Sequence, residues 1–138
     1  NAVLLGSTGL IGRALLNLLL IDPRFTQIWL VGRSQPVLPP DTAGANKVIF
    51  VNASIERFAE PSFFQSQLPN QIDCVFCCLG TTLKIAGSKA QFIAVDKTAV
   101  INFARGCKQA CHPKLHFLLV SALGANPRSS LFYNQVKG

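Results

Sequence analysis

The sequence predicts an α/β domain built on a doubly wound parallel sheet of about five strands, with helices on both faces. Two observations carry the prediction. Strand-like and helix-like patterns alternate along all 138 residues, and the strand-like runs are apolar almost throughout, as strands buried on both faces are. The length suits one domain, against a norm of ~150 residues.

Val3, Leu4 and Leu5 form the first apolar run, which enters a glycine-rich turn. Residues 10–20 then repeat leucines at helical spacing. Residues 27–31 read as the second strand, ended by Gly32, and residues 36–46 as a Pro-, Gly- and Asp-rich loop. The third strand is expected over 47–51, a short helix near 61–67, and the fourth strand over 73–78, ended by Leu79 and Gly80. Ser88 offers an N-cap for a long helix to about Lys108, with Phe92, Val95, Ala99, Ile101 and Ala104 at its apolar positions. A fifth strand over 115–121 precedes a Gly-, Asn- and Pro-containing loop and a last helical segment from about Leu131.

Composition excludes several classes. Apolar residues make up 49% and charged residues 14% of the chain, the opposite of a disordered sequence. The densest apolar stretch, residues 14–21, is broken by Asn17 and falls far short of the about 20 residues that span a bilayer. The opening residues carry no basic region and no cleavage site, so a cytoplasmic location is expected. The net charge of +7 is spread over singly placed basic residues, never three together, which counts against nucleic acid as a partner. Cysteines 74, 77, 78, 107 and 111 are expected to be reduced thiols. Cys107, Cys111, His112 and His116 could in principle supply zinc ligands, but His116 opens an apolar strand, and no metal is expected.

The chemistry is concentrated in three places. Gly6-Ser7-Thr8-Gly9-Leu10-Ile11-Gly12 lies between the first strand and the first helix. There Gly6 permits the tight turn, Gly9 lets backbone approach a pyrophosphate and Gly12 lets the helix pack on the sheet, the pattern of a Rossmann-like dinucleotide site. Exposed N–H groups and the helix dipole favour the anion. The second strand ends in Gly32-Arg33-Ser34 with no carboxylate. An arginine and a serine there suit the 2'-phosphate of NADP(H), whereas an acidic residue would suit the ribose of NAD. Finally, Tyr133 and Lys137 are four apart, hence on one helical face, and Ser121 ends the fifth strand twelve residues before Tyr133. An ammonium beside a phenol lowers its pKa from ~10, so Tyr133 could exchange a proton, and Ser121 could hold a substrate carbonyl.

This combination resembles the short-chain dehydrogenase/reductase superfamily over essentially the whole chain. Cys77-Cys78-Leu79-Gly80-Thr81-Thr82, Phe92-x-x-Val95-Asp96 and Phe132-Tyr133-x-x-Val136-Lys137-Gly138 are similar to its atypical subgroup of Tat-interacting-protein-like NADP-binding oxidoreductases. The resemblance implies Tyr133 as acid/base, Lys137 as the holder of the nicotinamide ribose, and Ser121 as the group orienting substrate. It also implies that Leu79, Gly80 and Thr81 line the cofactor. Two departures stand out. Asp96 occupies the place where many members carry a relay asparagine, and the chain stops at Gly138, before the part that shapes the substrate pocket in relatives, so a fragment is expected.

The expected function is hydride transfer between NADP(H) and a small carbonyl or alcohol substrate. The alternatives are a non-catalytic NADPH-binding regulatory or scaffold protein and, opposed by Arg33, a nucleotide-sugar epimerase or dehydratase using NAD. A homodimer or protein partner through the helix over 88–108 is left open by the pattern.

Overall fold

The computed structural model describes residues 1–111 and 114–138. Its five strands are β1 (Ala2–Leu5), β2 (Ile28–Gly32), β3 (Val48–Asn52), β4 (Cys74–Cys77) and β5 (His116–Leu119), arranged 3-2-1-4-5. Every neighbouring pair is parallel, with Leu4 of β1 level with Leu30 of β2 and Phe76 of β4. The order reverses between β1 and β4, which opens a crevice at the carboxyl edge beside β1.

β1 is buried on both faces, which explains its unbroken apolar sequence. On one face Leu4, Ile28 and Leu30 pack against Leu16, Leu19 and Leu20 of α1 (Leu10–Ile21), whose spacing of three and four makes a single helical stripe. The helix ends at Asp22, just before Pro23. On the other face Val3, Leu5, Val31, Val75 and Cys77 meet an aromatic cluster. Phe58 comes from the 3₁₀ turn Ile55–Ala59, Phe63 and Phe64 from α2 (Pro61–Gln67), and Phe103 from α5 (Ala99–Ala110). Ring centroids lie 5.1 Å apart for Phe58 and Phe103 and 5.2 Å for Phe63 and Phe64, pairs that add about 0.5–1.5 kcal/mol each beyond area burial.

The long helix is interrupted. α3 (Leu83–Ala86) precedes α4 (Lys89–Ile93), which Ser88 caps by accepting from the Gln91 N–H, and a π turn over Ala94–Thr98 joins α4 to α5. Ile101 is not on the buried face: it is exposed, while Ala99, Val100 and Phe103 are buried. Two residues turn an α-helix by about 200°, so Ile101 lies opposite Ala99. β5 is shorter than expected and more exposed than an interior strand, with Leu118 and Leu119 nearly half accessible. α6 (Phe132–Lys137) ends the chain.

All five cysteines are free. Of the Cys107, Cys111, His112 and His116 combination, His112 lies outside the described residues; among the described residues no group of three metal-ligating side chains gathers. No helix among them is long and apolar enough to cross a membrane.

Gly106 of α5 faces the Phe64 ring so closely that a Cβ would lie 2.1 Å from its Cε2. Gly106→Ala should therefore destabilise the fold by about 1–3 kcal/mol through overpacking, despite the better helix propensity of alanine. Urea unfolding checks this, and an unchanged or raised midpoint would contradict it.

Candidate functional site

The crevice at the carboxyl edge begins at the turn after β1. Gly6 has φ +87, and a Cβ there would sit 2.7 Å from the Cys78 carbonyl carbon. Both backbone conformation and the approach of the segment after β4 therefore demand glycine. A Cβ on Gly12 would lie 2.0 Å from the Gly6 oxygen, so α1 can seat against the turn only because that position is bare. Gly9 differs: its Cβ would meet nothing closer than the Gly6 oxygen at 3.5 Å, an ordinary contact. The protein's own packing gives Gly9 no steric reason to be glycine, whereas a ligand resting on the backbone would.

Gly9 is also the N-cap of α1, with no side-chain cap and no acidic residue in the first turn. The N–H groups of Leu10, Ile11 and Gly12 therefore face outward without an intrahelical acceptor. These donors and the positive end of a twelve-residue helix suit a phosphate group.

From this turn a groove runs toward the end of β2. Leu5, Gly6, Ser7 and Thr8 line one side, Val31, Gly32, Arg33 and Ser34 the other, and Leu79 closes it from the segment after β4. Arg33 and Ser34 are exposed, and no side-chain hydrogen bond or ion pair engages Arg33 among the described residues. Its backbone carbonyl accepts from the Asn52 amide at 3.4 Å. The exposed Glu56 carboxyl is held below its ordinary range chiefly by the Ser54 hydroxyl and its own backbone N–H, with a smaller contribution from the Arg33 charge. Sequence reasoning missed Ala53, Ile55 and Phe58 on the groove's floor. Their signal was position: they follow β3 at the same sheet edge, where ligands of open α/β sheets bind.

The second part of the site is built around α6. Tyr133 and Lys137 share one face, as their spacing requires, and the Lys137 Nζ lies 5.9 Å from the Tyr133 ring centroid. The ring packs against the buried Phe92 of α4 at 5.6 Å and is 41% exposed, so one side of it is accessible. Ser121, two residues beyond the end of β5, donates its hydroxyl to the Lys137 backbone carbonyl at 3.1 Å. Ser121 is thereby tied to α6, but through the main chain of Lys137. Its hydroxyl is engaged within the protein.

Lys137 is held from another side. Its side chain is 9% exposed, and Nζ lies 2.5 Å from Oδ1 of Asp96, whose side chain is fully buried. Asp96 Oδ2 accepts from the Thr81 N–H at 2.9 Å. Gly80, just before it, is bare where a Cβ would meet the Lys137 Nζ at 3.3 Å. Of the three residues expected to line a cofactor beyond β4, Leu79 thus faces the groove, while Gly80 and Thr81 face the Asp96–Lys137 pair.

The different packing of the glycines yields a test. Gly12→Ala should lower the thermal midpoint by several degrees, corresponding to about 1–3 kcal/mol, whereas Gly9→Ala should leave it within a degree or so. Equal losses for the two would contradict the steric distinction.

The chain is similar over its full length to curated proteins in animals and fungi. It is 33% identical to Protein HTATIP2 of Rattus norvegicus, covering 53% of that protein. It is 34% identical to the mitochondrial Protein FMP52-1 of Scheffersomyces stipitis, covering 57% of it. The chain therefore spans little more than half the length of these relatives. No protein-family model matches it. In solved structures the fold recurs across 99% of this chain in a short-chain dehydrogenase family protein from Francisella tularensis, at a TM-score of 0.70 and 15% identity. It recurs likewise in a short-chain dehydrogenase/reductase from Vibrio parahaemolyticus, at a TM-score of 0.71 and 16% identity. A uronate dehydrogenase from Agrobacterium tumefaciens, solved with NAD, shares it across 90% of this chain at a TM-score of 0.61 and 14% identity.

The FMP52 relatives from Scheffersomyces stipitis, Coccidioides immitis and Debaryomyces hansenii are all named mitochondrial, which overturns the expected cytoplasmic location. Sequence kinship along the whole chain relates it to the HTATIP2 and FMP52 proteins, and the parallel 3-2-1-4-5 sheet with its glycine turn is the fold of the short-chain dehydrogenase/reductase structures.

Proposed function

We propose that the chain is the cofactor-binding part of an NADP(H)-dependent oxidoreductase acting on a small carbonyl or alcohol. The observation that carries this reading is the groove from α1 to Arg33: an uncapped helix N-terminus beside a glycine that packing does not require, ending at an unengaged guanidinium with no carboxylate at the end of β2. The residues fit a dinucleotide. The backbone of Gly9, Leu10, Ile11 and Gly12 would hold the pyrophosphate, and Arg33 with Ser34 the 2'-phosphate.

A bound nicotinamide would supply or accept the hydride. Tyr133 would exchange the proton with the substrate oxygen, with the Lys137 ammonium nearby. Lys137 would also hold the nicotinamide ribose. Ser121 would orient the substrate once its hydroxyl turned from the Lys137 carbonyl. The remainder of the substrate pocket would come from sequence beyond these residues.

Calorimetric titration of the full-length protein with NADPH and NADH, beside Arg33→Ala, tests the cofactor reading. NADPH should bind at least about tenfold more tightly than NADH, and Arg33→Ala should remove the preference, as expected for loss of a charge-assisted phosphate contact. Equal affinity for the two nucleotides would overturn the NADP assignment, and binding of neither would overturn the cofactor reading itself.

A non-catalytic NADPH-binding role is the second reading. It is favoured by the engagement of both Ser121 and Lys137 inside the protein. NADPH oxidation by a panel of carbonyl compounds, lost in Tyr133→Phe, would support the enzyme; nucleotide binding without any such turnover would support the second reading.

A further inference from the structure

Asp96 is a carboxylate with no exposed side-chain surface, placed where the helix over 89–110 opens into a π turn. Such turns insert an extra residue and are frequent at functional sites. Burying an isolated carboxylate is costly, and it persists only where charge and hydrogen bonds compensate it. The compensation has two sources. Oδ2 accepts from the backbone N–H of Thr81, and Oδ1 faces the Lys137 ammonium at 2.5 Å. No hydrogen bond reaches Oδ1 among the described residues, so the attraction there is one of charge. Gly80 leaves the space the pair occupies, since a Cβ would stand 3.3 Å from Nζ and 3.4 Å from Oδ1. Three separate elements, the segment after β4, the π turn and α6, therefore converge on one buried ion pair.

We propose that Asp96 is a positioning residue that acts through Lys137. Its carboxylate, braced by Thr81, fixes where the ammonium stands relative to the cofactor groove and sets how much of that charge Tyr133 feels. The inference rests on the cofactor reading above, for it assigns Lys137 its destination. A lysine on a flexible stem at the end of a six-residue helix would otherwise sample many positions. The pair converts it into a fixed group. The same carboxylate neutralises part of the ammonium's field at Tyr133. The other ionisable groups around this point are Cys77 of β4, whose thiol burial pushes up to about 11, and Lys89 of α4, whose ammonium lies 5.1 Å from the Phe132 ring centroid. The protonated Cys77 thiol carries no charge near neutral pH.

The test uses the full-length protein with Asp96→Asn, Lys137→Met and the double variant. Asp96→Asn retains an oxygen for Thr81 and removes only the charge. NADPH affinity, measured by calorimetry, should fall about tenfold in each single variant, and the double variant should bind no more weakly than Lys137→Met alone, because the carboxylate acts only through the lysine. A buried carboxylate with a purely structural role would lower the stability and leave the NADPH affinity of the folded protein where it was. Should Asp96→Asn fail to fold for want of a partner to the buried ammonium, the double variant, which buries no charge, still decides: NADPH affinity equal to that of Lys137→Met supports the proposal. Additive losses in affinity overturn it. An NADPH affinity sensitive to Lys137→Met and indifferent to Asp96→Asn overturns it alone and leaves the cofactor reading standing, whereas no NADPH binding by the unsubstituted protein overturns both.

Discussion

The site depends on a joint where three stretches of backbone touch with no Cβ between them. Gly6 lies against the Cys78 carbonyl, and Gly12 against the Gly6 oxygen. The Cys78 N–H donates to the Leu5 carbonyl at 2.9 Å, so the β1–β4 pairing continues right up to the joint. Because the strands at this point are buried on both faces, the joint cannot relax by shifting a strand. It therefore fixes two things at once: the direction in which the N-terminus of α1 points, and the path of the segment after β4. The first aims the uncapped end of α1 away from the sheet, and the second delivers Gly80 and Thr81 to Asp96.

Beyond the joint, electrostatics takes over from packing. The groove side is open, with outward N–H groups at α1 and a solvated guanidinium at Arg33, which suits an anion arriving from water. The α6 side is closed, with one carboxylate and one ammonium withdrawn from solvent and braced by backbone. Removing one partner of such a pair strands a buried charge, a loss of about 3–5 kcal/mol in comparable cases. Stability and the placement of Lys137 are thus coupled in the same contact. α6 itself is too short to persist alone, and it is held by Phe92 against Tyr133 and Phe132, by Ser121 against its last carbonyl, and by Asp96.

The aromatic cluster serves this arrangement from below. Phe58, Phe64 and Phe103 pack the helix containing the π turn against the sheet, so that the turn's single buried carboxylate stays level with the carboxyl edge. Gly106 lets Phe64 come that close.

The parallel sheet, the glycine turn and the one-sided placement of Tyr133 and Lys137 are legible in the order of residues. Each is a consequence of local periodicity: continuous apolar runs for strands buried on both faces, glycine spacing for a tight strand-to-helix turn, and a four-residue interval for one face of a helix. That order also located Asp96 as a departure from the family pattern, and the end of β2 as the place to look for a phosphate contact. Long-range packing, by contrast, pairs Asp96 directly with Lys137, bonds Ser121 to the Lys137 main chain and brings Ile55 and Phe58 to line the groove. Ile101 was misplaced for a related reason: one apolar residue among many does not fix a helix's rotation, and packing against Phe58 and Phe64 did. Contacts between residues fifteen to forty positions apart depend on how the joint at Gly6 aims whole elements, and a sequence pattern that repeats every two to four residues holds no record of that aim.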